Sequence, residues 1–81
     1  MTIAVRVFAG IRARLGAEWI ETPLEFPATL EQIRRELETQ HPDLQALFRI
    51  SRFAVDGEYQ HDEELISDAA EIALIPPVSG G

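Results

Sequence analysis

Eighty-one residues, 46% of them hydrophobic and 26% charged, suffice for one small domain with a core and leave no room for a second domain or a deep enzyme cleft. Fourteen acidic residues against seven basic ones give a net charge of −7, which works against any surface that must neutralise phosphates, so no nucleic-acid binding is expected. The absence of cysteine excludes a disulfide framework, a thiolate metal site and a cysteine nucleophile; with neither a leader pattern nor a long apolar run, a cytoplasmic chain that avoids membranes is the expectation.

The first element reads from Thr2 to Phe8, where T-I-A-V-R-V-F alternates with Ile3, Val5 and Val7 on one face and Ala4, Arg6 and Phe8 on the other, the pattern of a half-buried strand. Gly10 to Gly16 is glycine-bracketed and reads as a short helical turn. Ala17 to Thr22 follows as a second strand that Pro23 stops or bends, and two strands this close should pair antiparallel. Trp19 falls within it and is expected to serve strand packing.

Thr29-Leu30-Glu31-Gln32 has the form of a capping box, so a helix should start there. Leu30, Ile33 and Leu37 continue it at helical spacing until His41-Pro42 ends the segment, with His41 read as a terminus residue. Leu44, Leu47 and Phe48 at i, i+3 and i+4 predict a short second helix. Phe53 to Tyr59 carries Asp56-Gly57, a tight-turn pair between strand-like pieces. His61-Asp62-Glu63-Glu64 lacks the spacing of a calcium loop and reads as a solvated acidic turn, so no metal site is expected. After a turn at Ser67-Asp68, Glu71 to Ile75 is the last strand, with Ile72 and Leu74 facing one way and Ala73 and Ile75 the other.

Strand, strand, helix, short strands and strand describe an α+β chain: a mixed sheet of about four to five strands wrapped on one main helix, the ubiquitin-like β-grasp. In that architecture the last strand lies parallel to the first in the middle of the sheet, joined through the helical crossover. Residues 1–75 then form the β-grasp domain, and 76–81 form an extended tail. Pro76 and Pro77 end strand pairing and project the last four residues outward, while Gly80 and Gly81 carry no Cβ and can pass through a narrow channel. Such a tail brings a terminal carboxylate close to another active site, where it needs activation, most simply as an acyl adenylate made with ATP by a partner enzyme.

V-R-V-F-A-G-I-R-A-R-L-G, F-P-A-T-L-E-Q-I, A-V-D-G-E-Y and the closing P-P-V-S-G-G resemble the small subunit of molybdopterin synthase, the sulfur carrier of molybdenum-cofactor biosynthesis, over essentially the whole chain. The resemblance implies that an adenylating enzyme activates Gly81, that a sulfur donor converts the adenylate to a thiocarboxylate, and that the tail enters the large subunit to deliver sulfur to the pterin precursor. Val78, Ser79 and Gly80, with Pro76 and Pro77, would serve insertion, Gly81 would carry the sulfur, and no cofactor would be bound tightly. A catalytic site is then expected on the large subunit rather than on this chain.

Phe8 and Ile75 should sit side by side on the sheet face turned away from the helix, which suggests a docking patch rather than a solvent surface. Tyr59 matches a family position that joins the patch. Arg12 and Arg14 either meet an acidic partner surface or are solvated loop charges. Other functions remain open at this point: a carrier for thiamine or cysteine synthesis, a ubiquitin-like modifier, or an interaction domain with an incidental tail. All seven basic residues are arginine, so the chain offers no lysine on which copies of itself could be linked.

Overall fold

The computed structural model describes residues 2–68 and 70–77. Among these, β1 (Thr2–Val7), α1 (Ala9–Leu15), β2 (Trp19–Glu25), β3 (Ala28–Thr29), α2 (Leu30–Gln40), a 3₁₀ turn (Pro42–Leu44), α3 (Gln45–Ile50), β4 (Arg52–Val55), β5 (Glu58–Gln60), β6 (Leu65–Ile66) and β7 (Ile72–Ile75) follow in order. The larger sheet has the order β2-β1-β7-β4-β5, with β3 and β6 forming a two-stranded sheet of their own. β7 lies in the middle, parallel to β1 through the pairs Val5↔Ile72 and Val7↔Leu74 and antiparallel to β4 on its other side. This is the ubiquitin-like β-grasp.

The alternation of β1 does what its period requires. Ile3, Val5 and Val7 turn inward and meet Ile72 and Leu74 of β7, Phe53 of β4 and Ile20 of β2 in one core with Leu30, Ile33 and Leu37 of α2. The start of α2 is fixed by the capping box: the Gln32 amide donates to Thr29 Oγ1 at 3.1 Å while the Thr29 amide donates to Gln32 Oε1 at 2.8 Å. Two further amides of its first turn are met from outside, Leu30 N by the Glu64 carbonyl and Glu31 N by the Asp62 carbonyl. His41 caps the other end.

Three expectations need correction. Pro23 neither stops β2 nor shortens it: the strand runs to Glu25 because it is an edge strand with a register irregularity, Ala4 facing Glu21 while Thr2 faces Glu25. The extra length is held by the buried Thr22, whose hydroxyl donates to the Ile3 carbonyl at 2.8 Å and accepts from the Leu24 amide, so the proline falls where the ladder is already interrupted. Trp19, expected to pack within the strand, stands 48% exposed on the sheet's outer face. The acidic turn is more than a solvated loop, because Asp62 forms a bidentate pair with Arg34 of α2, both contacts at 2.8 Å.

Arg34 is a hub. Its guanidinium also donates to the carbonyls of Phe48 and Ser51 and lies over the Phe53 ring at 4.9 Å. One side chain thereby ties α2, the α3–β4 junction and the turn before β6 together, with every contact either charge-assisted or stacked.

Candidate functional site

The face of the sheet opposite α2 is set by the same alternation that fills the core. With Val5, Val7, Ile72 and Leu74 inward, Arg6, Ala73 and Ile75 must point outward. The register aligns Arg6 with Ala73, Ala73 with Ala54, and Ala54 with Tyr59, a row crossing four strands. Small side chains at Ala54 and Ala73 lower the middle of this row, and larger ones rise around it. The result is a half-open concavity of about 260 Å³ lined by Phe8, Ala54, Gly57, Tyr59, Glu71, Ala73 and Ile75. Phe8, Tyr59 and Ile75, placed together from the sequence, are thus brought together by the fold.

Each is held by a different local device. Phe8 follows β1 as the N-cap residue of α1 in extended geometry, φ −136°, and its carbonyl accepts from the amides of Ile11 and Arg12. The corner is turned by Ala9 at φ 49°, a left-handed conformation unusual for a residue with a Cβ, and α1 closes at Gly16, whose φ of 70° suits glycine. Tyr59 is aimed by the β4–β5 hairpin, where Asp56 and Gly57 both take positive φ, 51° and 86°, as a two-residue turn of type I′ demands. Asp56 then fastens the hairpin to β7, its amide donating to the Glu71 carbonyl and its Oδ1 accepting from the Glu71 amide. Ile75 is the last residue of β7 and pairs with Arg52 of β4. Phe8 and Ile75 are half-buried, so the patch is recessed rather than protruding.

Arginines surround it. Arg6 lies over both Phe8 and Trp19, 5.3 Å and 5.9 Å from the ring centres, and pairs with Glu18 and Glu71; Arg12 reaches Glu18 at 3.9 Å. Arg52 lies over Tyr59 at 4.2 Å. Sequence reasoning set Arg6 and Ala73 on the face of Phe8 and Ile75 but gave them no part in the patch, and it did not place Arg52, Ala54 or Trp19 on this face. The signal was available for Trp19: once Ile20 and Thr22 are read as inward, parity sends Trp19 outward with Glu21.

The chain leaves the packed body between its prolines, Pro76 being buried and Pro77 exposed. Val78, Ser79, Gly80 and Gly81, the residues expected to serve insertion and sulfur transfer, lie outside the described residues. Among the described residues no group of three or more His, Cys, Asp or Glu could hold a metal ion, and no helix is long and apolar enough to cross a membrane.

A β-grasp with its last described strand in mid-sheet and an apolar concavity beside that strand defines the class: a small ubiquitin-like protein. Within that class the chain belongs to the ThiS family, whose model matches residues 5–81. It is 34% identical over 83 aligned residues, spanning all of both chains, to a molybdopterin synthase sulfur carrier subunit of Chlamydomonas reinhardtii. Its fold is similar to that of SAMP1 from Haloferax volcanii, with a TM-score of 0.80 at 24% identity and full coverage of both chains. It is likewise similar to a chain in the complex of subunits 1 and 2 of the molybdopterin-converting factor from Helicobacter pylori, with a TM-score of 0.68 at 22% identity and full coverage of both.

Proposed function

We propose that the chain is the sulfur carrier subunit of a molybdopterin synthase and that Gly81 is its working residue. The observation that carries this reading is the identity with a sulfur carrier subunit across the whole chain, in a protein whose central strand runs directly into P-P-V-S-G-G. The terminal carboxylate oxygen attacks the α-phosphorus of ATP on an adenylating enzyme and pyrophosphate leaves. A sulfur nucleophile then attacks the acyl carbon, AMP leaves, and the carboxylate has become a thiocarboxylate. The glycines leave that carbon open to attack from either side. Inserted into the large subunit, the thiocarboxylate gives its sulfur to the pterin precursor and water restores the carboxylate.

The outer sheet face serves as the docking surface for both enzymes in turn, with Phe8, Tyr59 and Ile75 at its centre. It supplies adhesion, and no side chain of this chain acts as acid or base in the transfer. Intact mass tests the reading: incubation with the adenylating enzyme, ATP and a sulfur source should add about 16 mass units, one oxygen replaced by sulfur. An unchanged mass alongside demonstrable AMP release would refute it, and an amide adduct on another protein would favour a modifier instead.

A further inference from the structure

We propose that Arg52, held over Tyr59 beside the root of the tail, makes an ion pair with a carboxylate at the mouth of the large subunit's channel. The proposal rests on the docking face described above and adds the chemistry of the partner at one point of it. Three observations converge on Arg52. It pairs across the sheet with Ile75, the last strand residue before the tail, so whatever receives the tail passes close to it. Its guanidinium lies 4.2 Å from the centre of the Tyr59 ring, which fixes a long side chain at the rim of the concavity before any partner arrives. And it has no carboxylate partner among the described residues, in a chain with two acids for every base.

The other arginines sharpen the contrast. Arg6, Arg12, Arg34, Arg35 and Arg49 each have an acidic partner within 4 Å. Arg14 has none among the described residues, but it lies on α1, away from the last strand, and stacks on no ring among the described residues. Among the described residues Arg52 alone is positioned by stacking, without an acidic partner, and adjacent to the end of the last strand. A guanidinium kept planar against a ring presents its outer edge, the edge that takes a carboxylate in a bidentate fork, and a preformed donor of this kind selects partners by where they place negative charge.

The test uses the full chain, titrated against the large subunit at low and at moderate salt. Arg52→Gln should weaken binding to the large subunit by about tenfold and flatten its salt dependence, and Arg52→Glu should weaken it by about a hundredfold. Arg52→Lys should recover some of the loss, since it keeps the charge without the fork. The melting temperature of each variant should match the parent.

Unchanged affinity and salt dependence of the Arg52→Glu variant for the large subunit would overturn the ion pair. A Phe8→Arg variant that binds the large subunit normally would refute the docking face, and this proposal with it. Failure of the carrier reading shows separately, as a parent chain that docks yet gains no sulfur.

Discussion

Filling the concavity from below is the most direct trial of the outer face. Ala73 forms its floor with Ala54 and is 9% exposed, and its side chain points into a space of about 260 Å³. Ala73→Leu adds three carbons, about 80 Å³ at protein packing density, and so removes close to a third of that space. An aromatic or large aliphatic side chain from a partner that filled the whole concavity would bury about 200 Å², a gross gain of about 5 kcal/mol at 25 cal/mol per Å². Losing a third of it costs about 1.7 kcal/mol, close to a twentyfold loss of affinity. The free chain should be unharmed or slightly stabilised, because the added carbons cover Phe8, Tyr59 and Ile75. Calorimetric titration against the large subunit, with thermal unfolding of the isolated chain, reads both quantities. Parent affinity in a variant that folds normally would mean that nothing enters the concavity.

Deleting Gly81 should leave the melting temperature within about 1 °C of the parent while abolishing thiocarboxylate formation, because a terminal glycine has no side chain to bury; any mass gain in the truncated chain would place the sulfur elsewhere. Gly80→Val should slow molybdopterin formation by about a hundredfold or more by setting a branched side chain in a narrow passage, so turnover near the parent rate would discard the channel argument. Arg34→Leu removes the ties to Asp62, Phe48 and Ser51 from a side chain only 13% exposed and should cost about 2–3 kcal/mol, a fall in melting temperature of about 10–20 °C. A fall of less than about 3 °C would show that these groups find water or other partners at no loss.

Periodicity was a sound guide wherever one residue's face follows from its neighbour's. Val5, Val7, Ile72 and Leu74 could be set inward, and Phe8 and Ile75 outward, without knowing which strand lay beside which. The capping box at Thr29 and the turn pair Asp56-Gly57 were readable because each is closed within four residues. What escaped the sequence depends on residues far apart in it. Pro23 is tolerated only because β2 is an edge strand and Thr22 bonds to Ile3, and neither fact is local. Asp62 looked like one carboxylate in an acidic run until the fold set Arg34, 28 positions away, against it. The pairing of Arg52 with Tyr59 needs the β4–β5 register, and the hollow beside Tyr59 needs two alanines to coincide on neighbouring strands.

The central position of β7 also has a mechanical meaning. β1 flanks it on one side in parallel and β4 on the other in antiparallel, with three and four register pairs respectively. Tension on the tail runs along the axis of this strand, and hydrogen bonds that lie across the axis on both flanks must then shear together instead of breaking in succession. Had the tail grown from β2 or β5 at the sheet's edge, the same pull would have met bonds on one flank only. On the carrier function proposed above, a pull on the end of β7 is thus resisted by β1 and β4 at once.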